Sequence, residues 1–296
     1  MKDEIVVAQA LKNQVRIHAA STTALVETAR QLHDMYPTSA AALGRTMTVT
    51  GILGSTLKDE NEHITATING GGPAGTIMAQ ADGAGNVRGF AANPQIYLKN
   101  GQTGKLDVGK AVGRNGYLRV TRDLGLKEPF TGTVALQSGE IGDDFAYYFA
   151  VSEQTPSVVA AGVLVDTDYS IRAAGGVLIQ LLPDADEDCV QAVEAIAKDM
   201  KPVSQLIDEG RSPEEIIHQL FADARILEHR DIRWHCGCSR KHYAAALATL
   251  HVQDLTEMIR EDHGAEIVCQ YCGKKYQYSE AELQQILDRK NHVENR

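Results

Sequence analysis

Long hydrophobic runs and an excess of positive charge are both missing from this sequence. No stretch approaches about 18 consecutive apolar residues, so we expect no membrane-spanning helix. The formal net charge is −10 at pH 7, whereas a protein that binds nucleic acid usually carries a basic surface. We therefore expect neither a membrane nor nucleic acid among the partners of this protein.

Cysteine is also scarce, with five in 296 residues. This count argues against a disulfide framework of the kind that supports small secreted domains. The first twenty residues, MKDEIVVAQALKNQVRIHAA, lack the apolar centre of a secretory signal peptide. These features predict a cytoplasmic protein, in which cysteines that cluster along the chain indicate a metal site or redox chemistry.

Motifs for catalysis and nucleotide binding are absent as well. The Gly-rich stretches GGGPAG and GKAVGRNG match neither a P-loop nor a dinucleotide fingerprint, and no G-x-S-x-G elbow occurs. The neighbours Asp143 and Asp144 suit the first turn of a helix better than acid–base catalysis. We expect that the protein is not an enzyme and does not depend on ATP.

The first part of the chain does contain clear strand and helix patterns. HITATING, GTIMAQADGAGNVRGF, YLRVTRDLG and GTVALQSGE alternate as half-buried strands do, and they occur in adjacent pairs. Helical patterns interrupt them at TTALVETARQLHDMYP and TSAAALGRTMTVTGILGSTL. Paired strands favour an α+β fold over a doubly wound parallel sheet. We predict a mixed α/β core domain over residues 1–183.

Residues 184–232 are predicted to form a helical linker. Apolar residues recur at helical spacing from Val190 onward, and Pro202 would end that helix. A further helix is predicted to start with Ser212 as its N-cap and Pro213 in its first position. The segment is too short to bury a core by itself, so we expect a connector between domains.

Four of the five cysteines lie in two close pairs near the end of the chain. Cys236 and Cys238 occur in WHCGCSR, and Cys269 and Cys272 occur in VCQYCGKKY. Zinc prefers four ligands such as thiolates in a tetrahedron, and two close pairs can supply them. In the second pair, Gly273 is expected to prevent a clash of a Cβ with the thiolates. The four cysteines are therefore the predicted ligands of one zinc ion per chain in the reduced state.

Residues 233–296 are predicted to form a small zinc-binding domain around these cysteines. Ser239 can cap a helix, and the segments AEIVC and KKYQY resemble two short strands on either side of the second pair. Ser279 and Glu282 have the spacing of a capping box. So small a unit has few apolar residues and usually needs a further constraint, which a metal can supply.

Three interpretations of the cysteines remain open from the residues alone. Zinc could only hold the domain together, or Cys269 and Cys272 could be a catalytic dithiol, although such pairs are expected beside a β-α-β unit. The site could also be a redox switch. Thiolate is the form of cysteine that oxidants attack, and loss of the ligands would unfold a domain that depends on its metal.

We expect four further residues, three histidines and one cysteine, not to bind the metal. Three histidines are near the cysteines in sequence, but a fourth cysteine makes them unnecessary as ligands: His235, His242 and His263. Cys189, the fifth cysteine, lies outside both pairs. We expect it to be a buried and inert side chain, as free cysteines often are.

The order of these motifs resembles the bacterial 33 kDa chaperonin family, a family of redox-regulated heat-shock chaperones. The match at the C-terminus is C-x-C, about thirty residues, and C-x-x-C. The match in the core consists of GGPAGTIMAQADGAGNVRGF, NPQIYL, LRVTRDLG, SGEIGDDFAYYFAVSEQTPS and AAGGVLIQLLP. The resemblance covers about residues 5–290.

This resemblance implies a mode of action. Zinc would be held by Cys236, Cys238, Cys269 and Cys272 in the reduced, inactive state. Oxidation would release zinc and form the disulfides Cys236–Cys238 and Cys269–Cys272, after which the zinc domain and the linker would unfold. The exposed apolar surface would hold unfolding client proteins without ATP, and the oxidised form would be a homodimer.

Overall fold

The structure is a computed structural model that describes residues 2–294, and the chain folds as two compact units, Met1–His235 and Cys236–Arg296. The strands of the first unit are β1 (Glu4–Ala10), β2 (Val15–Ser21), β3 (His63–Asn69), β4 (Ile77–Asp82), β5 (Asn86–Ala91), β6 (Tyr117–Asp123), β7 (Phe130–Ala135), β8 (Ser157–Val165), β9 (Ile171–Leu181), β10 (Arg225–Asp231) and β11 (Arg233–Trp234). Its helices are α1 (Thr23–Leu32), α2 (Pro37–Gly54), α3 (Val108–Val112), α4 (Gly142–Val151), α5 (Glu187–Asp199), α6 (Val203–Asp208) and α7 (Pro213–Leu220). The second unit contains α8 (Arg240–Ala248), α9 (Val252–Arg260), β12 (Gly264–Val268), β13 (Lys275–Ser279) and α10 (Glu280–Glu294).

The first unit is built on two sheets. One has five strands in the order β10-β1-β2-β9-β8, and the other has six in the order β11-β5-β4-β3-β6-β7. Neighbouring strands are antiparallel, apart from the short parallel pair of β11 and β5. The four predicted strand patterns form β3, the β4–β5 hairpin, β6 and β7. The predicted α+β fold is confirmed.

Helix α2 is almost completely buried and contacts strands of both sheets. Every residue of α2 except Arg45 is buried, as expected of a helix that is apolar on all sides. The hydroxyls of Thr46, Thr48 and Thr50 donate to carbonyl oxygens four residues earlier, at 2.9, 2.8 and 2.7 Å, so they are satisfied inside the core. Within residues 2–294, no helix combines the length and the hydrophobicity that a membrane crossing requires.

Helices α5, α6 and α7 contribute to a second apolar core on the five-stranded sheet. Val193 of α5, Leu206 of α6 and Ile216 of α7 are buried there with apolar residues of β1, β2 and β9. The predicted start of α7 is confirmed, since the Ser212 hydroxyl accepts the amide of Glu215 at 3.2 Å. After α7 the chain returns to the sheet, where β10 pairs with β1.

Candidate metal centre

The second unit has a very small apolar core. Its buried members come from the three helices and from β13, and they are Leu247, Leu255, Tyr276, Tyr278, Leu283 and Leu287. Two of these six are tyrosines whose hydroxyls must find hydrogen-bond partners. Both hydroxyls donate to backbone carbonyl oxygens in or just after the first cysteine pair, so the packing of this core depends on the position of the cysteines.

The first pair, Cys236 and Cys238, directly precedes α8. The helix is fixed at its start by Ser239, whose hydroxyl accepts the amide of His242 at 3.2 Å. The Tyr276 hydroxyl on β13 donates to the carbonyl oxygen of Cys238 at 3.0 Å and lies 3.2 Å from its sulfur. Strand β13 therefore holds the first pair in place.

The second pair, Cys269 and Cys272, occupies the turn between β12 and β13. The Cys269 amide donates to the carbonyl oxygen of Lys274 at 2.9 Å, and the Gly273 amide donates to that of Cys269 at 2.8 Å. Gly273 has φ +70°, and a Cβ built on it would meet nothing within 4 Å. The expected Cβ clash was wrong: glycine is favoured because the turn needs a left-handed backbone.

The four sulfur atoms form one cluster in which all lie within 4.8 Å of one another. The Sγ atoms of Cys236 and Cys269 are 3.7 Å apart, and those of Cys238 and Cys272 are 3.4 Å apart. A tetrahedral zinc site with bonds of about 2.3 Å separates its sulfurs by about 3.8 Å, whereas a disulfide bond is about 2.05 Å long. The cysteines are therefore free thiols at spacings that suit a metal.

The electrostatics of the cluster favour a bound cation. Burial alone would raise the pKa of the Cys269 thiol, but hydrogen bonds from the Tyr243 hydroxyl and from the amides of Cys272 and Tyr271 outweigh it and lower this pKa to about 6. Burial and hydrogen bonds to the neighbouring sulfurs raise the pKa of Cys272 to about 12. Four thiolates repel one another in so small a volume, and a divalent cation would compensate their charge.

The remaining predicted residues lie outside this cluster. Among the described residues, the four cysteines are the only group of three or more His, Cys, Asp or Glu side chains close enough to share an ion. The His242 ring packs edge-on against Tyr243, and His263 contacts Glu280. Cys189 is buried, as expected, and burial raises the pKa of its thiol.

Sequence reasoning missed the tyrosines that surround the sulfurs. The Tyr243 and Tyr276 rings are 5.1 Å apart, and their hydroxyls reach Cys269 and Cys238 respectively. The Tyr278 hydroxyl donates to the carbonyl oxygen of Arg240 at 2.6 Å, just after the first cysteine pair. The available signal was the alternation of tyrosines in KKYQY, which places two of them on one face of β13.

Comparisons with known proteins agree along nearly the whole chain. A family model described as Hsp33 protein matches residues 3–279. The 33 kDa chaperonin of Enterococcus faecalis is 44% identical over 290 residues, which is 97% of each chain. That of Staphylococcus carnosus is 46% identical over 292 residues, covering 98% of this chain and 99% of the relative. A crystal structure of the 33 kDa chaperonin from Thermotoga maritima is similar with a TM-score of 0.88 and 34% identity, covering 99% of this chain and 100% of that one.

Proposed function

This chain belongs to the Hsp33 family of 33 kDa chaperonins, and we propose that it is a holdase that oxidation activates. Membership of the family makes it a molecular chaperone, whose partners are client proteins that have lost their fold. The observation that carries the redox part of the proposal is the cluster of four free thiols in the second unit. The absence of a nucleotide-binding motif from the sequence supports holding without ATP.

In the reduced state, Cys236, Cys238, Cys269 and Cys272 would hold one zinc ion per chain. Zinc bound there would supply the positive charge that four thiolates require. A structural zinc contributes on the order of 10 kcal/mol to folding in zinc-finger peptides, and a unit with six buried residues in its core has little else to depend on. Loss of the ligands would therefore unfold this unit.

Oxidation would convert the thiols into the disulfides Cys236–Cys238 and Cys269–Cys272. In each pair, the two thiols give two electrons and two protons to one hydrogen peroxide molecule, so that an S–S bond forms while the O–O bond breaks and two molecules of water are produced. In the folded cluster, the sulfur contacts of 3.7 and 3.4 Å join cysteines of different pairs. Pairing within each motif is favoured once the unit opens, because one or two residues separate the partners and keep them close in an unfolded chain.

We assign a separate role to each of three segments of the chain. Residues 1–183 would be the chaperone core, 184–232 the linker, and 233–296 the zinc-binding redox switch. Release of the linker would remove α5, α6 and α7 from the five-stranded sheet and expose the apolar residues beneath them. That surface would hold clients in the cytoplasm, and two oxidised chains would associate as a homodimer.

Aggregation of a chemically denatured enzyme, followed by light scattering, tests this function. We expect the reduced, zinc-loaded protein to leave aggregation unchanged, and the protein treated with peroxide at mildly raised temperature to suppress it. The variant Cys269→Ser removes one zinc ligand, so its second unit should be unfolded without oxidant and the variant should suppress aggregation whether or not peroxide is added. Cys189→Ser is the matched control and should respond as the unaltered chain does.

Three outcomes would contradict the proposal. Full suppression by the reduced protein would show that there is no switch. Loss of a pre-existing activity on oxidation would indicate a purely structural zinc. Turnover of a dithiol substrate that disappears in Cys269→Ser or Cys272→Ser would indicate a thiol–disulfide oxidoreductase.

A further inference from the structure

Two tyrosine hydroxyls contact the cluster of sulfur atoms in the second unit. The Tyr276 hydroxyl lies 3.2 Å from the Sγ atom of Cys238 and 3.0 Å from the carbonyl oxygen of the same residue, so both acceptors share its proton. The Tyr243 hydroxyl donates to the Sγ atom of Cys269, a residue that is 1% exposed. Each cysteine pair therefore contains a sulfur that a tyrosine hydroxyl contacts.

Packing alone does not account for these hydroxyls. The rings of Tyr243 and Tyr276 lie 5.1 Å apart, and Tyr276 is 6% exposed. Phenylalanine would fill the same space without a polar group that loses water on burial and then needs a partner. Both tyrosine hydroxyls instead have a sulfur atom as a partner, and sulfur is the reacting atom of the proposed switch.

The two sulfurs that the tyrosines contact take part in every proposed disulfide. The closest sulfur contacts in the folded cluster are Cys236–Cys269 at 3.7 Å and Cys238–Cys272 at 3.4 Å, and each includes one of the two sulfurs. The proposed disulfides, Cys236–Cys238 and Cys269–Cys272, each include one as well. No proposed S–S bond can therefore form without a sulfur that a tyrosine hydroxyl contacts.

Oxidation of the thiols proceeds in two attacks by sulfur. In a zinc-bound set of four cysteines all the sulfurs are thiolates, so the pKa of the free thiols no longer decides which of them reacts. The first thiolate gives an electron pair to one oxygen of hydrogen peroxide, so that an S–O bond forms, the O–O bond breaks and hydroxide leaves. A second thiolate then attacks the oxidised sulfur, so that the S–S bond forms, the S–O bond breaks and a second hydroxide leaves. Each hydroxide becomes water by taking up a proton from the solvent.

A hydrogen bond to a thiolate slows both attacks. The donated hydrogen bond stabilises the negative charge on sulfur, and each attack consumes that charge. The nucleophilicity of a thiolate falls as its basicity falls. Groups that donate to a metal ligand also fix its orientation and tune its reactivity. A hydroxyl that donates to one of these sulfurs therefore makes that sulfur a slower nucleophile.

We propose that Tyr243 and Tyr276 are positioning residues of the redox switch, which hold the sulfurs of Cys269 and Cys238 and slow their attack on an oxidant. The inference rests on the proposed function and deepens it, because it names residues that raise the amount of oxidant needed for activation. All four residues lie in the second unit, so unfolding of that unit would end the protection.

Alkylation of the reduced, zinc-loaded full chain with limiting iodoacetamide tests this role. Fragment mass spectra of the digested protein give the rate of labelling at each cysteine. In Tyr243→Phe we expect the rate at Cys269 relative to that at Cys272 to rise about threefold. The reason is that a hydrogen bond to a charged sulfur changes its basicity about tenfold, and nucleophilicity changes roughly as the square root of basicity. The rate at Cys238 relative to that at Cys236 should stay unchanged.

Two further variants provide the opposite pattern and the control. Tyr276→Phe should raise the rate at Cys238 relative to that at Cys236 about threefold and leave the ratio in the second pair unchanged. Tyr278→Phe removes a hydroxyl from the same strand and the same small core, but this hydroxyl donates to the carbonyl oxygen of Arg240 at 2.6 Å. It should alter neither ratio. A general loss of stability would speed the labelling of all four cysteines alike, so it would also leave both ratios unchanged.

The labelling pattern can overturn the proposal in three ways. Unchanged ratios in Tyr243→Phe and Tyr276→Phe would show that the hydroxyls do not protect the sulfurs, and a shift in only one variant would reject the other tyrosine. Lower ratios would show that the hydroxyls assist the attack. An equal shift in Tyr278→Phe would show an effect of packing rather than of a bond to sulfur.

The role of the tyrosines and the oxidative switch can fail separately. Suppression of aggregation after peroxide, together with unchanged labelling ratios, would reject the role of the tyrosines and leave the proposed function intact. Shifted ratios without suppression in any redox state would support the role of the tyrosines and reject the holdase.

Discussion

At the scale of single residues, the cysteines could be identified from sequence and their neighbours could not. The spacing of Cys269 and Cys272 is a local property, and a zinc knuckle depends on little beyond it. Tyr243 is 26 residues before Cys269 in the chain, and its contact with that sulfur depends on how α8 packs against the β12–β13 hairpin. Gly273 shows the same limit, because the sequence indicated a glycine but not whether space or backbone conformation required it.

His18 makes the stability of the first unit depend on pH. It is buried on β2, its Nδ1 lies 3.2 Å from the Ser55 hydroxyl, and its Nε2 has no hydrogen-bond partner among the described residues. Burial, together with the charges of Arg16 and Arg230, lowers the pKa of His18 from 6.5 to about 4. Between these values the unfolded chain binds a proton that the folded chain does not. Protonation of His18 in the unfolded chain therefore does not lower the free energy of unfolding above pH 6.5, and lowers it progressively as the pH falls towards 4.

The variant His18→Gln tests this prediction. The free energy of unfolding of the unaltered chain should fall by up to about 3 kcal/mol between pH 6.5 and 4 through this group, and the variant should lose that part of the slope. Denaturant titrations followed by fluorescence of the single tryptophan, Trp234, report on this unit. The control is His218→Gln, a change of an exposed residue of α7, which should keep the slope. An unchanged slope in His18→Gln would contradict the account.

Among the helices and strands, the sequence predicted the elements that neighbouring residues in the chain determine. The start of α7 was predicted because Ser212 and Pro213 act on the helix that they begin. Strand β10 was missed because RILEHRD has only two apolar residues and is mostly exposed. It becomes a strand by pairing with β1, which lies more than 200 residues earlier in the chain. A local pattern cannot show such a partner.

The variant Ser212→Ala should destabilise α7, which lies in the proposed linker. The Ser212 hydroxyl accepts the amide of Glu215, while the Glu215 carboxylate accepts the Ser212 amide at 2.8 Å. Loss of such a cap costs about 1 kcal/mol, which corresponds to about a fivefold larger open population. Hydrogen exchange of the α7 amides in the reduced protein should therefore be about fivefold faster.

The exposed Gln219 lies on the same helix and provides the control. Gln219→Ala should leave exchange in α7 unchanged, and peroxide should activate Ser212→Ala sooner than this control. If hydrogen exchange in α7 becomes faster in Ser212→Ala but peroxide activates the variant no sooner, opening of this helix does not limit the rate of activation.

At the scale of the whole molecule, the two units differ in what stabilises them. The first unit has two apolar cores that share the five-stranded sheet, whereas the described part of the second has an apolar core of six buried side chains and a cluster of four thiols. The contrast was predictable from sequence because it reflects the number of apolar residues and the positions of the cysteines. The sequence could not predict that residues 184–232 fold onto the sheet of the first unit, because this depends on contacts between residues far apart in the chain.

We propose that the four thiols and one zinc ion form a single redox-sensitive structure. The most direct measurement is the zinc content of the purified protein beside its count of free thiols, before and after peroxide. We predict one zinc ion per chain and five free thiols in the reduced protein, with one thiol and no bound zinc after oxidation. Zinc retained after four thiols have been oxidised, or reduced protein that binds no zinc, would contradict the account.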